Sequence, residues 1–136
     1  MQNTKLIPPA ATVLLYNPDG PERLKRIRSY LERNHVRLIL VRPEDYGKPI
    51  GALLGLIEAD PKQDLHLGSA FPEEMLVMFA FQGTMMRDFL QFFREAEMPS
   101  ISRKAVVTPT NVFWNSVQLY EELSREAEWF ANNGKR

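Results

Sequence analysis

Val13-Leu14-Leu15-Tyr16, followed by Asn17-Pro18-Asp19-Gly20-Pro21, is an apolar run that gives way abruptly to turn residues. A short apolar stretch bounded by Pro and Gly reads as a buried strand. Proline fixes φ and glycine admits positive φ, so residues 17–21 turn the chain. Pro21 suits a first helical turn, where its missing N–H has no partner to lose. Leu24, Ile27 and Leu31 then recur on one face of a helix that extends to about Asn34. A second apolar run, Leu38-Ile39-Leu40-Val41, leads into Arg42-Pro43-Glu44-Asp45 and a short helix to about Leu54, with Ile50, Leu53 and Leu54 inward. The same order then recurs. Leu76-Val77-Met78-Phe79-Ala80-Phe81 passes through Gln82-Gly83 into a helix over about 84–97, closed by Met98-Pro99. Ala105-Val106-Val107-Thr108 precedes Pro109-Thr110-Asn111 and a last helix to about Ala131.

A strand, a helix and a second strand usually make two parallel neighbours joined by a crossover. The expected fold is therefore α/β, with a four-stranded, mainly parallel sheet built from two β-α-β-α halves. The alternative is a ferredoxin-like α+β sandwich with an added C-terminal helix, its third strand antiparallel to its second. The chain reads as a single domain: a 1–11 N-terminal extension, a first half over 12–54, a connecting segment over 55–74 and a second half over 75–136. So long a connection is uncommon in a compact domain. It is expected to pack Leu65 and Leu67 onto the body.

The 136 residues carry equal numbers of Lys+Arg and Asp+Glu, 17 each, so no overall charge points to nucleic acid or an acidic membrane. Hydrophobic content is 44%, ordinary for a globular chain. The absence of cysteine excludes disulfides, thiolate metal sites and a cysteine nucleophile. No apolar run reaches the length of a signal peptide core or a membrane span. The expectation is a cytoplasmic, soluble protein without membrane contact.

In a parallel sheet, four segments would meet at the carboxyl ends of the strands, where open α/β sheets bind ligands and helix N-termini favour anions. The candidate ligand residues at that edge are Asn17, Asp19, Gly20, Arg42, Gln82, Gly83, Thr84, Thr108, Thr110 and Asn111. No one of these segments has more than a single glycine, so neither the dinucleotide nor the P-loop phosphate pattern is present. Ordinary capping accounts for the same residues, with Thr108 or Thr110 starting the last helix ahead of or behind Pro109. No catalytic set, cofactor motif or metal-ligand spacing stands out. His35 and His66 are isolated, and Glu122 and Glu126 share a helix face without a histidine partner. Glu121 and Arg125 are spaced as an i, i+4 ion pair. Lys104 lies at the far end of its strand from Thr108, roughly 13 Å away, and reads as solvated.

The first helix is basic, with Arg23, Lys25, Arg26, Arg28 and Arg33 against Glu22 and Glu32. RNA binding through it is a minor alternative, because these charges spread over the polar arc with only Tyr30 among them. The apolar faces of the last two helices say more. Met85, Met86, Phe89, Leu90, Phe92, Phe93 and Ala96 cover a wide arc of the third helix. Phe113, Val117, Tyr120, Leu123, Ala127 and Phe130 form the inward stripe of the last one, with Trp114 and Trp129 off it. Broad apolar helix faces with stray tryptophans mark protein contacts. Met86, Leu90, Trp114 and Trp129 are the candidate interface, and a homodimer is expected.

The chain also resembles a small bacterial family, domain-of-unknown-function family 3783. The resemblance rests on Glu74-Met75-Leu76-Val77-Met78-Phe79 with Phe81, Phe89-Leu90, and Lys104-Ala105-Val106-Val107-Thr108 with Asn111 and Trp114. Leu119-Tyr120-Glu121-Glu122-Leu123, and Leu15-Tyr16-Asn17 and Ile50-Gly51-Ala52-Leu53-Leu54-Gly55 near the front, add to it. It spans about residues 12–128, and Pro109 stands at a position that is not fixed in the family. The family has no assigned activity, so the resemblance implies a freestanding bacterial domain and no chemistry. The leading functional expectation is a non-enzymatic binding or regulatory module acting through protein contacts. The alternative is an enzyme or sensor that binds a phosphorylated metabolite or nucleotide at the sheet edge.

Overall fold

A computed structural model describes residues 10–60 and 70–133. Leu65, Leu67 and His66 lie outside the described residues, as does most of the 1–11 extension. Four strands, β1 (Thr12–Tyr16), β2 (Arg37–Leu40), β3 (Met75–Phe79) and β4 (Arg103–Val106), form one sheet in the order β2-β1-β3-β4. The helices are α1 (Pro21–Arg33), a short α2 (Ile50–Leu53), α3 (Met85–Glu95) and α4 (Ser116–Asn133), with 3₁₀ turns at Pro43–Asp45 and Asn111–Phe113.

The sheet is mixed, which corrects the expectation of a mainly parallel one. β1 pairs with β2 in parallel and β3 with β4 in parallel, but β1 and β3 run antiparallel, with Thr12 opposite Phe79 and Tyr16 opposite Met75. The ferredoxin-like alternative has the direction of β3 right, antiparallel to β2, but not the strand order. There, another strand splits each crossover unit, whereas β1 and β2 are immediate neighbours here, as are β3 and β4. A half-turn about the sheet normal exchanges the two crossover units. Crossovers of the same hand then put both helices on one face, and α1 and α3 do share one.

That first face packs Val13, Leu15, Leu76 and Met78 against Ile27 and Leu31 of α1 and Phe89 and Phe93 of α3. The other face packs Leu14, Tyr16, Met75 and Val77 against Tyr46, Ile50, Leu54, Phe71 and Leu119. β1 and β3 are covered on both sides, which explains why their sequences run apolar without alternation. Two links tie the α2 and α4 regions together across that second face. The Ile50 N–H donates to the Trp114 carbonyl at 2.7 Å, and the Ser116 N–H donates to the Tyr46 carbonyl at 3.1 Å.

Helix ends explain several boundaries. α1 and α3 each close with a Schellman arrangement: Val36 N–H to Leu31 O and His35 N–H to Glu32 O in one, Met98 N–H to Phe93 O and Glu97 N–H to Arg94 O in the other. The left-handed residue is His35 (φ 59°) in the first and Glu97 (φ 57°) in the second. α4 starts later than expected. Its start is set by a reciprocal capping box, in which the Gln118 N–H donates to Asn115 Oδ1 and the Asn115 N–H donates to Gln118 Oε1, both at 2.8 Å. Phe113, assigned to the inward stripe, therefore sits in a 3₁₀ turn ahead of the helix and is 66% exposed.

Candidate functional site

Because β1 and β3 are antiparallel, the expected ligand edge is divided between two ends of the sheet. Asn17, Asp19, Gly20 and Arg42 lie at the carboxyl ends of β1 and β2. Gln82, Gly83, Thr84, Thr108, Thr110 and Asn111 lie at the opposite end, beyond β3 and β4. In the second group the polar atoms serve local turns. Thr108 Oγ1 accepts from the N–H groups of Thr110 and Asn111, while Asn111 Oδ1 accepts from the Thr108 N–H and its Nδ2 donates to the Val106 carbonyl. Thr84 donates to Asp88 at 2.8 Å. Arg42 pairs with Glu44 in solvent, and Lys104 donates to the Ile101 carbonyl at 2.7 Å.

The first end is more elaborately built, with residues that sequence reasoning did not connect. A cleft of about 610 Å³ is bounded by Asn17, Asp19, Glu73, Ser100, Ser102 and Arg103 among others. Asn17 adopts φ 52°, a left-handed conformation that Asn tolerates. Its Nδ2 donates to the carbonyls of Phe71 (2.7 Å) and Glu73 (3.1 Å), fixing the chain as it enters β3. Glu74 Oε2 accepts from the Asp19 N–H at 2.9 Å, just ahead of α1. The partial positive charge at the start of α1 thus already faces a carboxylate from within the chain. Arg23 holds the same carboxylate with two parallel bonds, Nε to Oε2 at 2.7 Å and Nη2 to Oε1 at 2.9 Å, and its guanidinium lies 5.5 Å from the centre of the Phe93 ring. No local sequence signal links Arg23 to Glu74, because the partners are 51 residues apart.

Behind this end lies an aromatic stack. Phe71 stacks on Tyr46 and Tyr120, with centroids 4.7 and 4.1 Å away. Tyr16 Oη and Ser116 Oγ are 2.7 Å apart and buried. Burial pushes the Tyr16 hydroxyl far above its ordinary value, and burial also raises Tyr46. Tyr120 donates to Glu73 Oε1 at 2.6 Å, which holds the Glu73 carboxyl below the usual range and raises the tyrosine. Arg103 spans the Tyr120 ring and donates through Nε to Ser124 Oγ at 3.0 Å.

Those contacts fix the placement of α4. Tyr120 and Ser124 sit over the amino ends of β3 and β4, so Arg125–Asn133 continues past the sheet for about 13 Å at 1.5 Å per residue. Residues 125–133 are all exposed. Phe130, expected inward, is 63% exposed and Trp129 is 56% exposed. Their rings meet edge to face at 5.1 Å. The packing stripe Tyr120-Leu123 thus continues as Ala127-Phe130 with no sheet beneath it. The other interface candidates differ. Met86 is exposed, but Leu90 and Trp114 are half-buried and pack on the two cores. The wide arc of α3 is taken up by α1, where Tyr30 stacks on Phe92 at 4.4 Å and Phe89 at 5.5 Å. Arg125 pairs with Glu122 rather than Glu121. Among the described residues, no cluster of His, Asp or Glu has the grouping of a metal site, and no helix is long and apolar enough to cross a membrane.

Residues 74–130 match the family model of a domain of unknown function, DUF3783, the family that the motifs from Glu74 to Leu123 resemble. The matched segment begins at the carboxylate that Arg23 holds and runs through Trp129 and Phe130 on the α4 extension. No curated protein and no solved structure matches the chain.

Proposed function

We propose that the chain is a non-enzymatic binding or regulatory module acting through protein contacts made by the α4 extension. One observation carries this reading: the helix's apolar packing stripe runs on past the body as Ala127 and Phe130, beside Trp129, with no sheet beneath it. Apolar aromatic side chains left in water at the tip of an ordered helix favour a partner surface. A photo-crosslinking residue at Asn133 tests it in cells producing the full chain. The expected result is a discrete adduct, lost when Trp129→Ala and Phe130→Ala are combined. No adduct, or one indifferent to both substitutions, overturns the reading.

The two β-α-β-α halves are part of the same proposal. Left-handed residues recur in matching places, Asn17 with Ala80, Gly20 with Gly83, and His35 with Glu97, which supports an internal duplication.

The 610 Å³ cleft favours a second reading as a small-ligand site. With Glu74 held by Arg23, Asp19 and Glu73 still outnumber Arg103 in its lining, so a ligand bearing positive charge suits it better than a phosphate. Thermal-shift measurements with polyamines and with sugar phosphates separate the two, since a ligand at 100 times its dissociation constant adds about 2.7 kcal/mol.

A further inference from the structure

The surface of α1 carries a basic groove. Lys25, Arg26, Ser29 and Arg33 follow the i, i+3, i+4 spacing of one helix face, and with Glu22 and Phe92 of α3 they line a groove of about 230 Å³. Its rim is basic and its aromatic floor is half-buried. Among the described residues, Lys25, Arg26 and Arg33 make no ion pair. The α4 extension has the opposite character: exposed Trp129 and Phe130 flanked by Glu126 and Glu128, which likewise make no ion pair among the described residues. One surface offers aromatic anchors with carboxylates, and the other an aromatic-floored groove with cations.

We propose that the occupant of this groove is the α4 extension of a second copy of the chain, so that each copy contributes one extension and one groove to a twofold dimer. The inference rests on the reading of α4 as the contact element and names its partner. α1 begins at the end of the sheet past which α4 projects, but on the opposite face. A twofold axis lying in the sheet plane, across the strands, sets two such ends together and brings each extension onto the α1–α3 face of the other copy. Closure is built in, because the same pair of surfaces is used twice. Charge complementarity sets register, and the aromatic pair supplies the anchor.

Sedimentation equilibrium of the full chain at micromolar concentrations tests this with two charge-reversed variants. Arg26→Glu with Arg33→Glu makes groove and extension both acidic, and Glu126→Lys with Glu128→Lys makes both basic. Each alone is expected to dissociate at least about tenfold more readily, while an equimolar mixture of the two associates again. Trp129→Ala is expected to weaken the wild-type dimer about 30-fold. A wild-type chain that stays monomeric overturns the proposal. So does a mixture that fails to recover, or groove reversal that leaves the dimer intact while abolishing binding of a single-stranded oligonucleotide. The mass of the Asn133 crosslink separates the two levels. An adduct of twice the chain mass supports self-association, whereas an adduct of another mass removes the self partner and leaves α4 as the contact element.

Discussion

Arg23 ties α1 to Glu74, the residue just ahead of β3, through a bidentate pair whose side chains are only 10% and 17% exposed. The carboxylate also receives the Asp19 N–H. Removing one partner strands the other in a dry place, so Glu74→Ala is expected to cost about 3 kcal/mol in urea unfolding. Adding Arg23→Met to Glu74→Leu is expected to cost less than the two singles summed. Strict additivity would show that the pair does not act as a unit.

Alkaline pH is expected to unfold the protein through its buried tyrosines, Tyr16 and Tyr46, and the half-buried Tyr30. Tyr16, Tyr46 and Tyr30 are all raised above the ordinary value of about 10, chiefly by burial. Above that value tyrosines of the unfolded chain lose their protons while the folded ones keep them. Unfolding then releases protons, and stability, fully present below about pH 10, falls as pH rises. Tyr16→Phe is expected to flatten this alkaline loss while costing about 1 kcal/mol at neutral pH, through the stranded Ser116 hydroxyl. A pH series of denaturant midpoints for both proteins reads the difference.

Gly51→Ala is expected to destabilise by about 1–3 kcal/mol. An added Cβ would lie 2.8 Å from Val112 Cγ2 and 3.1 Å from the Val112 carbonyl oxygen. The side chain can shift, but the carbonyl belongs to the 3₁₀ turn ahead of α4. Thermal melting of Gly51→Ala beside Gly55→Ala separates crowding from backbone strain, since Gly55 has open space but φ 81°.

Glu97→Gly and His35→Gly are expected to stabilise the protein, each by roughly 0.5–1 kcal/mol. Both residues hold the left-handed conformation of a Schellman end, which costs L-residues with a Cβ about 1–2 kcal/mol. Glycine offsets part of that gain by its freedom in the unfolded chain. Chemical denaturation of the single and double variants checks sign and additivity.

Much of the architecture was legible locally. Thr12–Tyr16 and Met75–Phe79 announced themselves as apolar runs closed by turns, and α1 followed from Leu24, Ile27 and Leu31. What local pattern does not encode is direction. The segment between Leu54 and Phe71 is long enough to deliver β3 to β1 in either sense, so the split of the ligand edge is invisible in the sequence. The start of α4 was written in Asn115-Ser116-Val117-Gln118, but the Thr108-Pro109-Thr110 signal upstream masked it. Phe130 has the periodicity of a core residue. Only the length of the sheet beneath α4 reveals that the helix has run out of support there.

The register of the sheet also bears on how the chain emerges from the ribosome. Thr12 meets Arg37 early, but Tyr16 waits for Met75 and Thr12 for Phe79. Until then the inner edge of β1, greasy on both faces, stands open to any passing strand. A fragment ending at Asp60 is expected to aggregate, visible as light scattering, unless residues 70–133 are supplied in trans. The first part of this polypeptide is born sticky and becomes safe only when the second is made.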